Sequence, residues 1–291
     1  MKARLVFLSI ALCICLLAGL GIPGGEKPTR EEMPTEEPQG TTFCRVVQED
    51  QGTLLLAEQG STAVFALTLG DQDMTLDGAA FDPSSPGAYQ VLPGGSLEGT
   101  TVLVTHSGEL QETWPLRFSN VTALAFSTEE FNNLGALYLQ VLEDLWAADP
   151  GLNEDVTELG LDLSGTHLSY TEREAVALAF GQAHGLPVIQ GRYEELEEEG
   201  HLTLESLEGT DQQYGYWEDG CLFSITESDE PVIFSMPAQG PGQEPPAYEA
   251  VSFDAWKWRS PLGSYGFSNC TAVRTAGGAW ESYTVGDEVV A

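Results

Sequence analysis

From Phe43 to Phe126 turn signals cut the chain into short strand-like runs at close spacing, and this constrains the fold more than any other feature. The runs are FCRVVQ, TLLLA, TAVFALTL, AYQVL, TVLVT, ELQETW and RFSNVTALAF, and EDQG, PSSPG, PGG and HSG punctuate them. No helical apolar stripe runs through them. Regular short strands of this kind predict a small all-β sandwich or barrel over residues 43–126.

Beyond residue 127 the pattern changes. Ser127 and Glu130 have the spacing of a capping box, and Phe131, Leu134, Tyr138, Val141 and Leu145 repeat at three- and four-residue steps up to Asp149–Pro150–Gly151. That predicts an amphipathic helix. ELGLDLS reads as a strand; Thr171 with Glu174 opens a second helix that Gly185 and Pro187 end. VIQG continues as a short strand and YEELEEEGH as an acidic helix. Then come strand-like YWEDGCLFSITE, PVIFSM, VSFDAWKW, YGFSNCTAV and AWESYTV, interrupted by the Pro/Gly-rich loop PAQGPGQEPPAYE. The order predicts an α+β chain: a small all-β barrel at 43–126, then an α+β domain at 127–291 with a largely antiparallel C-terminal sheet.

The amino terminus predicts export. Leu5 to Ile22 is nearly unbroken apolar sequence behind Lys2 and Arg4. It is close to the ~20 residues that cross a bilayer core, so residues 1–25 fit either a signal peptide or an N-terminal membrane anchor. Leu16–Leu17–Ala18–Gly19 resembles the run preceding the lipid-bearing cysteine of bacterial lipoproteins, but Leu20 stands where the thiol must be. Residues 26–42 are acidic and Pro-rich with few large apolar side chains, and read as a disordered spacer. Membrane contact is expected only through residues 5–22, if uncleaved.

The segment LEGTTVLVTHSGELQETWPLRFSNVTALAF is similar to the closing strands of OB-like barrels in exported bacterial proteins. Gly99, Val102, Val104, Gly108, Leu110, Glu112, Thr113, Pro115, Val121 and Leu124 carry the likeness. LYLQVLEDLWAADPGLN, YWEDGCLFSITE and the late KWRSPLGSYGF run resemble the C-terminal region of uncharacterised exported proteins of anaerobic Gram-positive bacteria. This resemblance implies an OB-like barrel joined to an α+β domain and transfers no active site.

Charge narrows the partners. Forty-five Asp and Glu face eleven Lys and Arg, giving a net charge of −34. Such a field repels nucleic acid and anionic lipid and favours cationic partners. No GxSxG, SxxK, HExxH or Walker motif is present, nor a GxGxxG that leads into a helix. No catalytic residue, metal ligand set or cofactor is therefore assigned. Weaker constellations remain: Asp71, Asp73 and Asp77 cluster oxygens without an EF-hand pattern, the Glu194–Glu199 run offers carboxylates, and Glu197 and His201 stand four residues apart. His106 is read as lying in a hairpin turn. Cys44, Cys221 and Cys270 follow the leader, and a Cys221–Cys270 disulfide competes with three buried thiols.

The most distinctive candidate is FDAWKWRSPLGSYGF. On a strand, Trp256 and Trp258 share one face and Lys257 and Arg259 the other. These four residues form a candidate patch for a glycan or a protein ligand in the form of an acidic peptide, the alternative being core tryptophans with two surface cations. The expected function is that of an exported, non-enzymatic binding protein, secreted or held at the outer face of the cytoplasmic membrane; the alternative is an extracytoplasmic hydrolase of envelope or extracellular polymer.

Overall fold

The computed structural model describes residues 39–206, 211, 213–228, 232–235 and 247–291. The expected leader and the spacer up to residue 38 lie outside the described residues, as does most of the Pro/Gly-rich loop. Among the described residues no helix is long and apolar enough to cross a membrane.

A first sheet takes seven strands in the order β3-β2-β1-β6-β7-β4-β5. They are β1 (Gln39–Asp50), β2 (Thr53–Glu58), β3 (Val64–Thr68), β4 (Asp73–Leu76), β5 (Ala79–Ala80), β6 (Thr101–Ser107) and β7 (Asn120–Ser127). β1 begins at Gln39, so Gln39 to Thr42, expected in the spacer, pair with β6 instead. His106 lies within β6, not in a turn, and its ring packs on Phe118 at 4.9 Å. The sheet is not closed along this path, whose ends are β3 and β5. Outside it, Ala66 N–H donates to Leu116 O and Leu116 N–H to Val64 O, each at 2.9 Å.

The sequence of β2 explains its place. Leu54 and Leu56 face one core with Val46, Phe65, Val102, Val104, Leu124 and Phe126. Leu55 and Ala57 face another with Val47 and Val64. A strand buried on both faces needs an unbroken apolar run, which TLLLA supplies. In β1 an irregularity between Val46 and Gln48 accompanies the burial of successive residues, Val46 in one core and Val47 in the other.

The second core receives helices. α1 (Leu134–Ala147) and α2 (Tyr170–His184) lie between the first sheet and a second, and Leu137, Tyr138, Val141, Val176 and Phe180 belong to one core with residues of both sets of strands. The second sheet has the order β16-β15-β14-β12-β8-β9, with β13 also pairing β14 and β17 pairing β15. Its members are β8 (Glu158–Gly165), β9 (Val188–Gln190), β12 (Gly220–Glu227), β13 (Val232–Ser235), β14 (Ala247–Ser260), β15 (Gly263–Arg274), β16 (Trp280–Thr284) and β17 (Asp287–Val290). β8 runs parallel to β9 and β12, and the remaining pairings are antiparallel. On the outer face of this sheet, α3 (Tyr193–Glu198) and the hairpin β10 (Thr203–Ser206) and β11 (Gln213–Tyr216) cover a small core of Leu196, Leu202, Trp217 and Leu222. The chain is thus α+β and mostly sheet.

Two helix starts differ from the sequence reading. α1 begins at Leu134, not after Ser127, because Ser127 belongs to β7 and bonds Asp77 Oδ1 at 3.1 Å. The intervening backbone is pinned: Gly99, at φ +89°, lies so close to Asn132 and Asn133 that a Cβ there would sit 2.6 Å from Asn133 N. The capping box of α2 is Ser169 with Glu172, two residues before Thr171 and Glu174. Glu172 also pairs with Arg45 of β1 at 3.0 Å, tying the helix start to the first sheet.

Candidate functional site

β14 carries Trp256, Lys257, Trp258 and Arg259, and the structure separates them. Trp256 sits cross-strand from Gly266, where a Cβ would lie 2.4 Å from its ring, so the indole covers a glycine gap in β15. Trp258 packs edge-on to Tyr193 at 5.0 Å over the outer small core. Both rings are half-buried on the face away from the helices. They are neither fully buried core tryptophans nor an open aromatic platform.

Lys257 corrects both versions of the patch, since it is 0% exposed. Its ammonium donates to the carbonyls of Ala148 (2.8 Å), Asp149 (3.1 Å), Trp146 (3.3 Å) and Leu145 (3.5 Å). Leu145 and Trp146 are in the last turn of α1, Ala148 is its cap and Asp149 follows, so the ammonium sits at the negative end of the helix. The rings of Trp146 and Phe223 flank the ammonium at 6.0 and 5.9 Å. Burial lowers its pKa below the ordinary lysine value, opposed by Cys221 and Asp149. The period of the strand aims Lys257 inward, and a buried cation is tolerated there because four carbonyls receive it.

Arg259 faces the same way but lies at the end of β14, where the helix layer stops. Its Nε donates to Trp217 O at 3.2 Å, Nη1 to Glu154 O at 2.5 Å and Leu152 O at 3.5 Å, and Nη2 to Glu218 O. Trp217 N–H returns a bond to Arg259 O at 2.8 Å. The guanidinium therefore staples the loop after α1 to the segment that follows β11.

That stapling builds a cleft of about 800 Å³. One wall is the β10–β11 hairpin with Glu205, Tyr214 and Tyr216; the other is the β14–β15 turn, where Leu262 is 91% exposed. Tyr214 and Tyr216, two apart on β11, share a face. Tyr214 is cross-strand from Glu205, and both phenols donate to that carboxylate, at 2.6 and 3.4 Å. The bond to Glu205 raises the Tyr214 pKa. Trp217 forms part of the wall. It lies flat on two glycines, where a Cβ at Gly220 would come within 2.0 Å and one at Gly160 within 2.6 Å of the indole. Its Nε1 donates to Glu158 at 3.1 Å.

The other candidates do not converge. His201 faces Glu158 at 3.5 Å and Glu199 at 3.7 Å, rather than Glu197. Asp77 and Gly78 form the tight β4–β5 turn, with Asp77 capping Thr128 N–H at 2.9 Å. Among the described residues no three His, Cys, Asp or Glu side chains are grouped to hold a metal. Glu98 has a raised pKa, through burial and the nearby Glu49 charge, but it bonds Glu49 N–H at 3.1 Å beside β1, outside the cleft.

The cysteine expectation resolves to free thiols. Cys44, Cys221 and Cys270 are all buried and unpaired with one another. Cys270 is opposite Phe253 on β14, whereas Leu222, next to Cys221, is opposite Trp258. The intervening strand and the offset along it, on the order of 20 Å at ~3.4 Å per residue, exceed any disulfide reach.

Glu205, Tyr214, Tyr216 and Leu262 were not singled out from sequence. The available signal was the aromatic cluster Tyr214–Gly215–Tyr216–Trp217, which forms most of β11 and the residue after it. No family model, curated protein or solved structure matches the chain.

Proposed function

We propose that the chain acts outside the cytoplasm as a binding protein, taking a small ligand in the cleft between the β10–β11 hairpin and the β14–β15 turn. The observation carrying this reading is the cleft itself: open, walled by Tyr214, Tyr216, Trp217 and Leu262, and fixed in shape by Arg259. Its volume falls within the range of small-molecule sites, and apolar walls with a few polar groups are their usual composition.

The apolar leader supports export, as does the resemblance to exported proteins of anaerobic Gram-positive bacteria. The first sheet is read as an OB-like barrel. β3 and β4, taken as one interrupted strand, are antiparallel to β2 and parallel to β7, and the Leu116 bonds extend that parallel register toward closure. This order of strands is what supports the OB-like reading. Binding is favoured over hydrolysis because Glu98, the carboxyl raised toward a general-acid role, lies away from the cleft.

Amide chemical shifts of the full chain, followed while titrating neutral oligosaccharides, organic cations and organic anions, test the reading. Saturable shifts confined to residues 205, 213–218, 259, 260 and 262 are expected for one class. Binding that maps elsewhere, no binding by any class, or recovery of the natural protein in the cytosol refutes it.

A further inference from the structure

We infer that the cleft selects an organic cation, an ammonium or guanidinium group on an apolar body; this rests on the binding reading above. Both tyrosine hydroxyls on the hairpin face are turned to Glu205, at 2.6 and 3.4 Å. The Trp217 indole N–H is given to Glu158 at 3.1 Å. All three nitrogens of Arg259 donate to backbone carbonyls, of Trp217, Glu154, Leu152 and Glu218. Gln213 and Ser260 are left as neutral side-chain donors in the wall.

What meets an incoming ligand is therefore acceptor-rich. The carboxylates of Glu205 and Glu218, the tyrosine oxygens and the ring faces all attract positive charge, while the guanidinium is already surrounded by carbonyl oxygens. An anion would find only the neutral donors of Gln213 and Ser260, set against two carboxylates. A neutral sugar, which needs donors and acceptors in similar number, would leave much of its acceptor capacity unmet. An ammonium needs only acceptors, and its hydrocarbon stem can lie on Leu262 and the tyrosine rings. The net charge of −34 adds a long-range field of the same sign, which concentrates cations at the surface.

Phenethylamine and phenylacetate share an apolar body and differ in charge, so together they isolate the sign. With the full chain at low salt, phenethylamine is expected to give saturable amide shifts at residues 205, 213–218, 259, 260 and 262, and phenylacetate none. Replacing Tyr216 by Leu should weaken phenethylamine by about 2- to 5-fold, the loss of a cation–π contact at an exposed site. Glu205→Gln should weaken it further as salt is lowered, because the screened attraction is then largest in the parent. A blocked Trp-Lys dipeptide amide distinguishes a peptide side chain from a free amine: tighter binding than phenethylamine assigns the cleft to peptides, and weaker binding to small amines, both within the inference. Binding of phenylacetate or maltotriose at these residues, with phenethylamine silent, overturns the cation assignment and leaves the binding reading standing. Silence of every probe there overturns both.

Discussion

Lys257→Met is the most informative single change, because it replaces the buried ammonium by an apolar group of similar length. The parent side chain makes bonds of 2.8, 3.1 and 3.3 Å to Ala148, Asp149 and Trp146, matching the three protons of an ammonium. A hydrogen bond to a charged group is worth roughly 1.5–3 kcal/mol net. A cation at a partly buried helix C-terminus adds up to ~2 kcal/mol. Against these stands the desolvation of the ammonium, several kcal/mol for a buried ion, and the lowered Lys257 pKa means that for the charge alone this exceeds the gain. The variant, however, leaves the α1 carbonyls buried without a donor, at about 1–3 kcal/mol each. With the carbonyls deciding, Lys257→Met should lower the unfolding free energy by about 2–4 kcal/mol.

Urea unfolding of the two proteins, compared at equal m-value, measures this directly. The pH dependence supplies a second reading. The Lys257 pKa is lowered in the fold, so the unfolded chain binds the extra proton between that value and the ordinary 10.5. Stability from this group is therefore fully present above 10.5 and is lost as pH falls through the lowered value. The parent should gain on the variant as pH rises through that window. Other alkaline titrations, such as that of the half-buried Tyr283, are common to both proteins and cancel in the difference. A variant as stable as the parent, or more so, would show that desolvation outweighs the carbonyl contacts and would refute the reasoning.

Arg259→Lys keeps a charge but cannot bond four carbonyls spread over two segments, so it should cost about 1–3 kcal/mol and loosen the cleft, with faster hydrogen exchange at residues 152–154 and 217–218. Unchanged exchange there would deny Arg259 its stapling role. Glu98→Gln should stabilise at neutral pH: the Glu98 pKa is raised by burial, so the stability that this carboxyl contributes is present below the ordinary carboxylate range and lost as pH rises through the raised value. The advantage of the variant in thermal unfolding should vanish in acid, and an advantage independent of pH would count against the assignment. The thiols should resist a neutral-pH thiol reagent in the native state, because burial raises Cys44 and Cys221 to about 12 and Cys270 to about 11. A Cys221–Cys270 peptide link in a non-reduced digest would contradict the strand register.

What the sequence made legible was local. The C-terminal stop of α2 could be read because Gly185 adopts φ +66° and Pro187 follows, a signal complete within three residues. Its start could not, because SYTE and TERE are overlapping frames of the same capping box. The earlier frame is occupied because Glu172 also reaches Arg45, a partner over a hundred residues away. The α1 start failed for a related reason: Ser127 has a capping side chain but is already committed to β7 and Asp77. Local signals propose alternatives, and distant partners select among them.

The same rule governs the candidate site. Alternation along β14 correctly places Lys257 and Trp256 on opposite faces, but it does not say which face meets a helix end. Once α1 lies across that face, the cation is consumed by carbonyls and cannot serve an acidic ligand. Arg259, two residues on, is past the helix and reaches the loop carbonyls, so its charge shapes a cavity instead of forming a cationic patch. Removing both cations from the ligand's side inverts the chemistry read from FDAWKWR: the cleft presents acceptors and rings, and its preference turns from acidic toward basic partners. The net charge of the chain pointed that way from the outset, and the structure supplies a place for it to act.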